Sequence, residues 1–253
     1  MKKYLQFLTS TLFWIFPLLV WLFWQLVMHE PHDFFIYLII SIAIIPLVAY
    51  EAVNHNLKQS LVLVSVDLLI FLSAIYFFSS LIKMGQGLNL IWIYFVWHLY
   101  RYLLSARNYY SGKKKDFVDF IFYHSLVNLF LLSSLIFGLQ VSLSLSIWPL
   151  LAIGAPSILI SIVSLAIRQQ WLKLASWQFW LFLTILELEI LIALSFLPLS
   201  YLVLGILSTL FYYSVLNFSR LYFEDRLTRK KIKNYTLFTI ISLIIIFLTA
   251  RWL

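Results

Sequence analysis

The chain contains no cysteine. Disulfides, thiolate nucleophiles and cysteine-held metal sites are excluded, and the redox compartment cannot be read. Charge is scarce too: 11% of the 253 residues are Asp, Glu, Lys or Arg, against about 25% in a soluble domain. A water-soluble globule is therefore excluded. The alternating ten-residue strands of a membrane barrel are missing. So are the GxSxG elbow, the phosphate-binding Walker loop, HExxH, ion-filter sequences and paired aspartate-rich motifs for magnesium–diphosphate. No lysine lies inside an apolar run, which excludes a retinal Schiff base.

What is present is apolar: 63% of residues are hydrophobic and 19% aromatic. Nine runs stand out, at 11–28, 34–53, 60–82, 88–106, 119–139, 146–167, 177–198, 200–219 and 235–252. Each has the length of a helix crossing a hydrocarbon core about 30 Å thick at about 1.5 Å per residue. The expected fold is an all-α integral membrane protein, a bundle of about nine transmembrane helices. The whole chain, 1–253, reads as one transmembrane domain with no soluble domain. Met1-Lys2-Lys3 before an apolar run resembles a signal peptide. His29-Glu30-Pro31-His32-Asp33 follows instead of a small-residue cleavage site, so the run is expected to remain as the first span.

Basic residues predict the orientation. With the N-terminus cytoplasmic, sixteen of the eighteen Lys and Arg fall on the inner side, leaving Lys83 and Arg251 outside. Cytoplasmic loops are enriched in Lys and Arg, so the N-terminus is expected inside and the C-terminus outside. The net charge of +8 then marks cationic loops facing anionic lipid rather than a nucleic-acid partner. Short loops suit the cytoplasmic (inner) membrane. Most tryptophans lie near run ends, where indoles favour the headgroup level; Trp97 and Trp180 lie deeper and read as packing residues.

Ionisable groups inside a span are costly, and they face protein or water. Asp67 is seven residues into the third run, about 10 Å deep by the helical rise. His98 lies in the fourth run, with Arg101 one turn shallower, and His124 in the fifth, with Asn128 one turn deeper. Glu51, followed by Asn54 and His55, ends the second run; Asn217 and Arg220 end the eighth. All fall in the cytoplasmic half of the predicted bundle, so one polar layer is expected. In it Asp67 would be the counter-ion of Arg101 or of a charged His98. Asp67, His98 and His124 are the candidates for proton chemistry. Glu51, Arg101, Asn128, Asn217 and Arg220 are candidates for substrate binding, with Arg101 suited to an anionic headgroup. A structural cluster that fixes helix register explains the same residues.

Glu187 and Glu189 sit near the middle of the seventh run with no basic residue at their depth. Being two apart, they point about 200° from each other on a helix. They cannot act as a carboxylate pair, and each is a candidate proton carrier. In the sixth run Pro156 predicts a kink beside a stripe of small residues, Gly154, Ser157, Ser161 and Ser164, suited to close helix contact. No metal site and no cofactor are expected; the His29–Asp33 hairpin has ligand residue types without ligand spacing.

Three functions stay open, and whether the chain is an enzyme is undecided. The first is binding or modification of an amphiphile, a lipid or polyprenyl carrier, through a polar pocket opening to the cytoplasm. The second is proton-linked transport of a small solute. The third is a non-catalytic membrane subunit or scaffold.

Overall fold

A backbone placed in hydrocarbon must satisfy its hydrogen bonds within the segment, which favours helix for every apolar run. The computed structural model describes residues 2–29, 34–53, 64–74, 89–110, 118–168, 177–223 and 225–250. Among these residues the regular structure is helical, and a helix falls on each of the nine apolar runs. They are α1 (Lys2–His29), α2 (Phe34–Ala52), α3 (Val64–Ala74), α4 (Asn89–Tyr110), α5 (Val118–Ser142), α6 (Ile147–Arg168), α7 (Trp177–Leu194), α8 (Tyr201–Phe223) and α9 (Arg229–Thr249). Four are long and apolar enough to cross a membrane: the Phe122–Ser142 part of α5, α7, α8 and α9. Glu30 to Asp33, Asn54, His55, Lys83, Lys113 to Lys115, Arg251 and Trp252 lie outside the described residues.

The helices form two compact units, Met1–His124 and Ser125–Leu253. In the first, α1 packs on α2 and α4, and α2 on α4. Its core is built from Phe13, Phe16, Val48, Leu68, Phe71 and Leu99, all buried. In the second, α6 packs on α7, α7 on α8 and α8 on α9. Its core includes Ile158, Ile162, Leu191, Leu207 and Leu216.

Proline does not break these helices. α1, α2 and α6 run through Pro17, Pro46 and Pro156 respectively. The sixth run carries one continuous helix, Ile147 to Arg168, with Pro156 inside it. Gly154 explains the small-residue stripe in part: a Cβ there would lie 2.8 Å from Ile136 Cδ1 on α5.

α9 carries the plainest sign of an apolar surrounding. None of its residues is buried, although Phe238, Ile241, Ile244, Ile245 and Leu248 belong to it. Such a run of exposed apolar side chains has no place on a water-facing surface. Within the unit α9 meets α8 through modest contacts: Thr239 Oγ1 lies 2.7 Å from Ser214 Oγ, Tyr235 and Phe238 meet Tyr213, and Tyr235 also meets Phe218. Thr228 caps the N-terminus, accepting from the Lys231 amide at 3.4 Å. Arg229, Lys230 and Lys231 then fill the first turn, where cations oppose the helix dipole. Helix stability does not account for that choice.

Candidate functional site

Asp67, His98 and His124 come together in the first unit. They lie on α3, α4 and α5 and are 4%, 3% and 1% exposed. His98 Nε2 is 3.0 Å from His124 Nδ1, so one imidazole N–H donates to the other ring in the appropriate tautomer. The Asp67 carboxylate is reached through Tyr102, whose hydroxyl donates to Oδ2 at 2.7 Å. Tyr102 also lies flat on His124, ring centroids 3.6 Å apart and planes 13° apart. Phe71 closes the layer, 6.1 Å from each imidazole. The sequence reading missed Tyr102. Its signal was the spacing: Tyr102 is four residues beyond His98 and so shares its helix face.

This layer is packed rather than open. Among the described residues, stacked rings keep the Asp67, His98 and His124 side chains from solvent. The arrangement can hold one proton between two imidazoles and keep a carboxylate hydrogen-bonded beside them.

Arg101 turns the other way. It is exposed on α4, and its guanidinium carbon lies 5.3 Å from the Trp97 ring and 5.7 Å from Phe120. Among the described residues its neighbours are rings, not the Asp67 carboxylate proposed for it. Phe120 also lies 5.2 Å from His98, so one ring touches both the exposed cation and the buried histidine layer. Trp97, expected to be a packing residue, is half exposed; Trp180, read the same way, is buried.

Beside Arg101 an apolar groove of about 380 Å³ runs between α1 and α4. Trp14, Pro17 and Trp21 form one wall, and Val96, Trp97 and Tyr100 the other. Cations flank it: Arg101 at Trp97, and Arg107, whose guanidinium carbon is 5.7 Å from the Trp14 ring. Arg107 is partly committed, lying 3.7 Å from Glu51 Oε1. Glu51 is buried and also accepts from Thr9 Oγ1 at 3.1 Å, tying α1, α2 and α4 together. A second groove, about 430 Å³ and lined by Phe130, Ile206, Leu210 and Phe238 among others, has no charged residue in its walls.

The remaining candidates belong to the second unit. Asn128 is fully buried on α5. Asn217 is buried on α8 and donates to the Tyr213 carbonyl at 2.8 Å, while Arg220 is half-buried in the last turn. Glu187 is 1% exposed and Glu189 is exposed, the divergence their two-residue spacing requires. Ser208 of α8 donates to Glu187 Oε1. Ser133 of α5 lies 3.0 Å from Ser208, hydroxyl to hydroxyl. These serines also escaped the sequence reading; their signal was the alignment of Gly205 and Ser208 on one face of α8. No group of three or more His, Cys, Asp or Glu suited to a metal occurs among the described residues.

No protein-family model matches this chain, and neither a curated protein nor a solved structure was found to resemble it.

Proposed function

We propose that the chain is a multi-pass protein of the cytoplasmic membrane, with its N-terminus inside, that binds an anionic amphiphile in the α1–α4 groove. The occupant carries a hydrocarbon chain and a phosphate or carboxylate head. Trp14, Pro17, Trp21, Val96, Trp97 and Tyr100 accept the chain, and Arg101 takes the head. The observation that carries this reading is the Arg101 guanidinium, exposed over Trp97 at the edge of an apolar groove and held by no carboxylate among the described residues.

The physical reasoning is short. A guanidinium is always charged and forms paired hydrogen bonds to phosphate or carboxylate oxygens. In the fourth span Arg101 sits about 8 Å below the inner end by the helical rise, so water alone solvates it poorly. An anionic headgroup drawn to that depth offsets the cost. The walls are apolar and open at the protein surface, which favours a ligand arriving from the bilayer over one arriving from water. Behind the groove, one ring away through Phe120, the His98–His124 pair can take up or release a proton as the anion binds. The nine apolar runs, and the sixteen of eighteen basic residues that this orientation would put inside, support it.

Native mass spectrometry of the purified protein tests the reading. The wild type retains an anionic lipid that survives mild delipidation, and Arg101→Ala and Trp97→Ala lose it. Equal retention by all three proteins refutes the assignment.

A further inference from the structure

We propose that the second unit holds a site for one monovalent hard cation of the Na+ type, formed by the Glu187 carboxylate and the hydroxyls of Ser134, Ser208 and Tyr212. This site lies on different helices from the lipid groove, and neither depends on the other.

The buried polar chemistry there is incomplete. Ser208 hydrogen-bonds Glu187 Oε1, and Ser133 in turn bonds Ser208. Glu187 Oε2, Ser134 Oγ and the Tyr212 hydroxyl have no hydrogen-bond partner among the described residues, although Glu187, Ser134 and Tyr212 are 1%, 0% and 3% exposed. Three buried orphan oxygens in one unit are unusual, since buried polar atoms are nearly always satisfied. A buried carboxylate without a positive partner is more costly still. No basic side chain among the described residues pairs with Glu187.

Helix register brings these atoms to one place. Gly205, Ser208 and Tyr212 are spaced by three and four residues, so they form one face of α8. Ser134 abuts that face at Gly205: a Cβ there would land on Ser134 Oγ, 3.0 Å from its Cβ and 3.1 Å from its amide nitrogen. Tyr212 follows Ser208 by one turn, and long helical side chains lean toward the N-terminus. That lean directs its ring toward the turn that holds Ser208. Glu187 approaches the same turn from α7.

The donor set selects the ion. All the donors are oxygens, which suits a hard cation, and no imidazole or thiolate is present to favour a transition metal. One carboxylate balances one positive charge; a divalent ion would leave a net charge in a dry interior. A proton competes for the same carboxylate. The other ionisable groups facing this region are few. α5 has none in this unit, α6 has only Arg168 at its end, and α8 offers Tyr212 with Arg220 three turns beyond Ser208. Glu189 points away.

The full-length protein in detergent is melted in NaCl, LiCl, KCl and choline chloride at constant ionic strength and at several pH values. A saturable rise in Tm with Na+, absent with choline, is expected, with half-saturation moving to higher Na+ as pH falls. Glu187→Gln abolishes the response, and Ser134→Ala raises half-saturation about tenfold. Identical melting in NaCl and choline, including a response to pH alone, overturns the site. So does a Na+ response that survives Glu187→Gln. Should that variant fail to fold, an unchanged half-saturation in Ser134→Ala overturns it instead.

Discussion

His98 and His124 meet nitrogen to nitrogen at 3.0 Å, on two helices and shielded from solvent. The pair works as a hydrogen bond only while one ring donates and the other accepts. His98→Ala removes one side of it and leaves a cavity beside Phe71 and Phe120. The loss is expected to be about 1–3 kcal/mol, the cost of stranding a buried polar partner. His124→Ala should cost a similar amount. The double variant should fall short of the sum by at least about 0.5 kcal/mol, because the two residues share one interaction. Thermal melts of the four proteins in one detergent measure it.

Tyr102 is expected to matter through its hydroxyl as well as its ring. Tyr102→Phe keeps the stack on His124 and deletes the donor to Asp67. A destabilisation of about 1–3 kcal/mol follows from the weakened solvation of a buried carboxylate. Tyr102→Leu removes the stack as well and should melt lower than Tyr102→Phe. Equal melting of the two variants would show that the hydroxyl alone matters.

The two glycines of the second unit make contrasting predictions. Gly205→Ala drives a Cβ into Ser134, including its backbone amide, which a rotamer change cannot clear. Overpacking of this kind costs about 1–3 kcal/mol or more. Gly154→Ala meets only the flexible end of Ile136, so its melting temperature should stay near the wild type. A larger drop for Gly154→Ala would reverse the packing described for these helices.

Topology is open to a direct check. A reporter active only outside the cytoplasm should be silent when fused after Gly112 and active when fused after Leu253. Activity at Gly112 would reverse the orientation, since adding or removing one span flips every later loop.

The helices were legible in the sequence because apolar length alone nearly determines them: each of the nine runs carries a helix. Divergence of Glu187 from Glu189 was legible for the same geometric reason. The partners were not. Composition marks Asp67 as costly at its depth but is silent on whether Arg101 or Tyr102 answers it. That choice depends on how α4 is rotated, and the rotation turns Arg101 outward and Tyr102 inward. Ser133, Ser134 and Ser208 were overlooked because small hydroxyls are common in membrane helices and carry no charge. Their role appears only once Glu187 is placed against α8.

The most direct test of lipid capture places a photo-crosslinking residue at Leu18, an exposed wall of the α1–α4 groove. After irradiation in native membranes, mass spectrometry identifies the adduct. The account predicts an anionic amphiphile enriched over its share of the bilayer, with that enrichment lost in Arg101→Ala. Adducts that mirror bulk lipid composition, unchanged by Arg101→Ala, would contradict it.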